Sequence, residues 1–188
     1  MGALLQCSAF LIKKKGVLLS CNGMNATYLF QQDKHYDVNY DTGDKTIQCG
    51  RHVDAFKFWL QWRAKGDNGF EDALDKLWDL AHLLQSEIER RDNFEMVMDK
   101  PQFTNICFWY IPESLKSLEK DSEEYTEKLN EIAPTIKKKM MMKGTLMIGY
   151  QPLDDKPNFF RMIFSNQATK EEDVYFLLDE IEKLGRDL

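Results

Sequence analysis

The chain has 188 residues and a formal net charge of −6, from 25 Lys and Arg against 31 Asp and Glu. Hydrophobic residues make up 43% and charged residues 30%, enough apolar surface for a core and so against intrinsic disorder. The acidic balance disfavours a duplex nucleic acid as partner, and no apolar run approaches the roughly 18–20 residues of a membrane span.

The length suits one domain, or one domain plus part of another. The first apolar stretch, Gly2 to Ile12, is followed rather than preceded by its lysines, so it does not read as a secretory leader. Cys7, Cys21, Cys49 and Cys107 are far apart and form no C-x-x-C, which points to reduced thiols in a cytoplasmic protein. His35, His52 and His82 are too scattered for a metal pair, so no metal site is expected.

In chain order, Leu4 to Ile12 reads as a strand closed by a turn at Lys13-Lys14-Lys15-Gly16. Asn25 to Lys45 has no steady period and carries Asp33, Asp37, Asp41 and Asp44, the pattern of a long irregular loop, which is uncommon without a function. Val53 to Lys65 places Val53, Phe56, Trp59, Leu60 and Arg63 near one helical face, with Gly66 as C-terminal cap. From about Gly69 to Arg91, Phe70, Leu74, Leu77, Ala81, Leu84 and Ile88 make one apolar stripe, capped by Asp67 or Asn68. Phe94 to Met98 alternates, whereas Ile106 to Ile111 is continuously apolar, as in a strand covered on both faces.

A third helix is predicted over about Ser122 to Lys143, stopped by Gly144 and kinked or restarted at Pro134, which lacks the donor a helix interior needs. Thr145 to Tyr150 and Phe159 to Ser165 read as strands. Thr169, with Glu172 three residues on, reads as a capping box opening a last helix that buries Val174, Leu177, Leu178, Ile181 and Leu184. The order β-loop-α-α-β-β-α-β-β-α implies an α/β fold, a mixed sheet with helices packed on it. The lysine runs at 13–15 and 137–139 read as solvated faces.

No generic nucleotide, hydrolase or zinc motif is present. Asp37, Asn39 and Asp41 are spaced like the first ligands of a calcium loop, but Thr42 stands where its glycine belongs and Gln48 where its glutamate belongs. Arg161 is the only charge in Phe159-Phe160-Arg161-Met162-Ile163-Phe164. A partly buried guanidinium there needs an anion, and its fork matches a carboxylate in two-point fashion. That anion is either an internal acid beside an edge strand or a bound carboxylate. Tyr28, Tyr36 and Tyr40 in the long loop either pack by their rings or furnish a lid with a proton donor.

Several longer strings carry a resemblance. They are Tyr28-Leu-Phe-Gln-Gln-Asp-Lys-His-Tyr36-Asp, Tyr40-Asp-Thr-Gly-Asp-Lys45, Gln48-Cys-Gly-Arg51, Asn105-Ile-Cys-Phe-Trp-Tyr-Ile-Pro112, Gly149-Tyr-Gln-Pro152, Asn158-Phe-Phe-Arg161 and Glu180-Ile-Glu-Lys-Leu-Gly-Arg-Asp-Leu188. Together they resemble the pyridoxal-phosphate-dependent group II decarboxylases over essentially the whole chain, nearest the animal glutamate decarboxylase branch. The resemblance implies the C-terminal part of the type I PLP-dependent transferase fold. Residues 1–58 would be the end of the large cofactor domain, with a catalytic loop over about residues 25–45, and residues 59–188 the small α/β C-terminal domain.

It further implies pyridoxal 5′-phosphate as cofactor. The family's Asn-Pro-His-Lys segment would end just before Met1, so no cofactor-binding residue is assigned within the chain, and the isolated chain is expected to be inactive. Arg161 matches the arginine that holds a substrate carboxylate. Tyr28 matches the tyrosine of the mobile loop, which would protonate the α-carbon after CO2 leaves. Tyr36 has no assigned role, and Gln48 to Arg51 would fix the exit of the loop. The implied protein is a cytoplasmic homodimer whose loop reaches the partner's active site. The implied reaction converts a small acidic amino acid, L-glutamate first, to 4-aminobutanoate and CO2. Cysteine sulfinate or aspartate decarboxylation, or a non-catalytic fragment that associates with full-length subunits, are the alternatives.

Overall fold

The computed structural model describes residues 9–31, 33–48, 53–120 and 122–188. Its Cα positions group into two units, residues 3–66 and residues 67–188. The division falls at Gly66, which interrupts α2 (Asp54–Arg90) with φ 68° and ψ 179°. Positive φ is open to glycine at little cost. The two helices expected on either side of Gly66 are thus both present, in one continuous span of sequence.

In the first unit, residues 9–12 form no strand, and Leu4 to Ser8 lie outside the described residues. The turn at 13–16 leads instead into a short helix, α1 (Val17–Asn22), which the sequence pattern did not suggest. The long segment that follows holds only a turn at 27–29 and two 3-10 turns, Val38–Tyr40 and Gly43–Lys45. The anticipated apolar face of the first part of α2 stands exposed, with Phe56, Trp59 and Leu60 each about half accessible.

The second unit carries the core. Its part of α2 buries Phe70, Ala73, Leu77, Leu80, Ala81, Leu84 and Ile88, the expected stripe with Ala73 and Leu80 in place of Leu74. The strands are β1 (Phe94–Met96), β2 (Asn105–Tyr110), β3 (Gly149–Leu153) and β4 (Lys156–Ile163), in the order β1-β2-β4-β3. Every pairing is antiparallel, so the sheet is not mixed. A short turn at Asp154-Asp155 joins β3 to β4, and a connection of this kind can only reverse the strand.

Strand alternation then sorts the side chains. Ile106, Phe108, Tyr110 and Phe160 point into the helix layer and join one core with Leu115 of the short α3 (Glu113–Lys116), Ile136 and Met140 of α4 (Glu123–Lys143) and Leu178 and Ile181 of α5 (Glu171–Gly185). The opposite face presents Asn105, Cys107 and Trp109 from β2, Phe159, Arg161 and Ile163 from β4, and Gly149 and Gln151 from β3. Hence β2 is not covered equally on both sides as its apolar run implied. Cys107 and Trp109 are only half-buried.

Helix α4 is continuous through Pro134, so it does not restart there. Proline removes the N–H that would bond the carbonyl four residues earlier, that of Asn130. Here the Asn158 side chain of β4 donates to the Asn130 carbonyl instead (2.9 Å), and the Asn158 backbone N–H donates to Asn130 Oδ1 (3.0 Å). The orphaned acceptor is satisfied from outside the helix. At the far end Gly144 takes φ 65° and closes the helix. The last helix starts one residue later than its sequence signal. Lys170 is the cap, and Asp173 rather than Glu172 reaches back to accept from its N–H at 2.9 Å.

Candidate functional site

The tyrosine-bearing loop belongs to the first unit and is closed at its base. Asn22 Nδ2 donates to Lys45 O (3.0 Å), and Met24 N–H donates to Asp44 Oδ1 (2.9 Å). The intervening residues therefore form a loop with joined ends, the architecture of an Ω-loop. Asn25, at φ 50°, turns the chain into a tight bend in which Leu29 and Phe30 both donate to Ala26 O. Tyr28 sits in this bend and is 77% exposed.

The other loop side chains are engaged internally. Lys34 pairs with Asp41 at 2.5 Å, and the Tyr36 hydroxyl donates to the same carboxylate at 3.1 Å. The Lys34 hydrogen bond, helped by Tyr36, holds the Asp41 carboxyl below the usual carboxylate range, and the same Asp41 bond raises Lys34 above its ordinary value. Asp37 caps the following turn by accepting from Asn39 N–H at 3.0 Å. The calcium-like spacing is thus spent on a turn and an ion pair. No cluster of three or more metal-ligating side chains occurs among the described residues. Tyr36, left without a role by the sequence, braces the loop.

Arg161 belongs to the second unit. It lies on an interior strand rather than an edge, and it is exposed rather than partly buried. Among the described residues it has no ion-pair partner. Its register neighbours are Cys107 on β2 and Gly149 on β3. Both are small, and a Cβ built on Gly149 would meet only the Arg161 backbone oxygen, at 4.0 Å. Burial pushes the Cys107 thiol up, with the Arg161 charge pulling weakly the other way. A thiol so held stays neutral and does not quench the guanidinium. Beside Cys107 opens a groove of about 240 Å³ bordered by Met96, Met98 and Phe103. The result is a cation on an open sheet face with room on both sides, able to take a carboxylate end-on.

The sequence reading missed what holds β4 in place. The β2–β4 register ends at Phe108–Phe160. Beyond it two side chains take over. Trp109 Nε1 donates to Pro157 O at 3.2 Å, and Asn130 accepts from Asn158 N–H. The available signal was Pro134, which leaves the Asn130 carbonyl without its helical donor.

No lysine is buried among the described residues, and the one with a resolved partner in the loop, Lys34, is held more firmly protonated, the reverse of what attack on an aldehyde requires. Lys34 is thus committed to the loop and is not assigned to a pyridoxal cofactor. Taken separately, the second unit offers a cation that a carboxylate could meet, and the first a phenol on a loop with joined ends.

Residues 1–111 match the pyridoxal-dependent decarboxylase conserved domain. The chain is similar to mouse CSAD in its apo form, with 46% identity and a TM-score of 0.81, covering 98% of this chain and 37% of that one. A second structure of mouse CSAD is 47% identical with a TM-score of 0.79, covering 93% of this chain and 35% of that one. Catharanthus roseus tryptophan decarboxylase in complex with L-tryptophan is 21% identical over 79% of this chain and 29% of that one, with a TM-score of 0.62, a likeness of fold. The chain thus spans little more than a third of the length of the mouse relative. The α/β arrangement, a four-stranded sheet with helices on one face, corresponds to part of the fold of these enzymes, whose cofactor is pyridoxal phosphate. On the match of its first 111 residues and on this likeness, the chain belongs to the pyridoxal-dependent decarboxylase family.

Proposed function

We propose that this chain is the C-terminal part of a pyridoxal-phosphate-dependent carboxy-lyase that acts on a small acidic amino acid, with residues 1–58 ending the cofactor domain and residues 59–188 forming the small domain. The observation that carries the reading is Arg161, an exposed guanidinium with no ion-pair partner among the described residues, on an interior strand between Cys107 and Gly149. A second carboxylate, on the substrate's side chain, would be the natural partner for a cation held there.

When bound, pyridoxal phosphate supplies the electron sink for the pair left behind by departing CO2. Arg161 holds the substrate carboxylate in two-point contact and fixes its orientation. The loop based on Asn22, Met24, Asp44 and Lys45 excludes bulk water when it closes, and Tyr28 delivers a proton to the carbon that has lost CO2. The protein is proposed to be a cytoplasmic homodimer in which this loop serves the partner's site.

L-glutamate is the first substrate, giving 4-aminobutanoate. The likeness to CSAD, a cysteine sulfinic acid decarboxylase, favours cysteine sulfinate as the second reading. The test starts from the transcript upstream of Met1, which should encode an Asn-Pro-His-Lys segment. The encoded polypeptide, supplied with pyridoxal phosphate, is then assayed for CO2 and amine with L-glutamate, L-cysteine sulfinate and L-aspartate. Release of CO2 with 4-aminobutanoate supports the first reading, and hypotaurine the second. No lysine segment upstream, or no CO2 from any acidic amino acid, overturns the proposal in favour of a non-catalytic partner.

A further inference from the structure

We propose that Asn130 and Asn158 are positioning residues for Arg161, a tether that sets where the carboxylate-holding strand lies against the helix layer. This rests on the reading of Arg161 given above. The geometry is two-point, with Asn158 the donor in both bonds. Asn158 N–H donates to Asn130 Oδ1 at 3.0 Å, and Asn158 Nδ2 donates to Asn130 O at 2.9 Å. The second acceptor is available because Pro134 supplies no N–H to it.

The tether sits where the sheet gives out. From Phe160 to Ile163, β4 is registered with β2, and at Phe160 and Arg161 with β3 as well. From Lys156 to Phe159 its only strand partner is β3, and that pairing is irregular between Gln151 and Leu153. The β2 side of this stretch is held by the Trp109 bond to Pro157 O and the helix side by Asn130. Arg161 follows Asn158 by three residues and points to the opposite face, so the asparagines cannot touch a substrate that the guanidinium holds. They act on it only by fixing the strand. An ångström of misplacement at a site of this kind costs up to about 10²-fold in rate.

Two measurements test the proposal. The first is amide hydrogen exchange on the 188-residue chain. Asn158→Ala and Asn130→Ala should speed exchange at residues 158–161. Asn130→Asp, which retains both acceptors, should not. Unchanged protection in both alanine variants overturns the tether.

The second uses a holoenzyme in which this chain replaces the matching C-terminal part of mouse CSAD. Asn158→Ala and Asn130→Ala should each lower kcat/KM about tenfold, chiefly through KM, and Asn130→Asp should stay within about twofold of the parent. In an Arg161→Lys background the same alanine changes should cost less than about twofold, because the group they position is already gone. An equal fold-loss in both backgrounds means a general effect on folding and overturns the proposal. If Arg161→Lys alone leaves kcat/KM unchanged, the reading of Arg161 fails and the positioning role with it, while the exchange data still report whether the tether exists.

Discussion

Gly185 of α5 packs directly against the Tyr110 ring, and replacing it by alanine should destabilise the chain. A Cβ at that position would lie 2.2 Å from Tyr110 Cε1, 2.8 Å from Cδ1 and 2.9 Å from Cζ. Three atoms of one ring cannot be avoided by a small rotation. The ring is 3% exposed and meets Phe94 edge-on at 5.3 Å, so it has no free side to move into. Overpacking of this sort costs about 1–3 kcal/mol, and the gain in helix propensity from glycine to alanine returns at most about 1 kcal/mol. Because Gly185 ends the helix, little of that gain is realised, and a net loss of about 1–3 kcal/mol follows, equal to a fall of about 2–12 °C in Tm for a chain of this size. Urea and thermal unfolding followed by circular dichroism would measure it. Tyr110→Val should relieve the clash, so the double variant should lose less than the two single losses added together. A neutral or stabilising Gly185→Ala would show that α5 can shift on β2 freely, and the close-packing argument would fall.

The remaining predictions concern the candidate site, the first two in a holoenzyme carrying this chain. Tyr28→Phe keeps the ring, which is exposed and packs little, and should lower kcat by about 10²–10⁴-fold with a much smaller change in KM; steady-state kinetics showing an unchanged kcat would reduce the loop to a lid. Arg161→Lys keeps the charge but not the two-point contact, and kcat/KM should fall by up to about 10²-fold; near-normal kinetics would return Arg161 to a structural role. In the loop, the Lys34 hydrogen bond lowers the Asp41 carboxyl in the folded chain. Its contribution is present above the ordinary carboxylate value and is lost as pH falls through the depressed one. Exchange protection around residues 34–41 should therefore persist through the ordinary carboxylate range and fail below it; protection lost at the ordinary value, or independent of pH, would mean that the pair does not brace the loop.

How much of this was legible in the sequence depends on the range of the interaction involved. Helix α5 and the second part of α2 were readable because burial of one face imposes a 3.6-residue period, and Val174, Leu177, Leu178, Ile181 and Leu184 are all buried as that period requires. The cap of α5 slipped by one residue because Glu172 and Asp173 are adjacent acids, and only geometry decides which of them reaches back. For β2, an apolar run could not reveal that only Ile106, Phe108 and Tyr110 face the core. The continuity of α4 was illegible for a different reason. The donor that rescues Asn130 comes from Asn158, 28 residues away, and no local pattern encodes a partner at that distance. Of the site residues, the sequence singled out Arg161 as a lone charge among apolar residues, but expected it to be partly buried. Its exposure follows from the helices of the second unit packing, among the described residues, on the other face of β4.

That exposure bears on the chemistry. A guanidinium buried in the sheet would need a permanent internal acid, since an unpaired buried charge costs several kcal/mol. Such an acid would occupy the fork and compete with any incoming carboxylate. Period-two alternation removes the conflict, because Phe160 and its even-numbered neighbours can be committed to the core while Arg161, one residue on, keeps its fork open to solvent. Cys107 and Gly149 extend the same logic sideways. An acid at either register position would pair with Arg161 across the strands, whereas a neutral thiol and a missing side chain leave the charge unspent. The exposed cation stays hydrated between encounters, and its precision has to come from the strand beneath it, which is why the residues that hold β4 matter as much as the one that it presents.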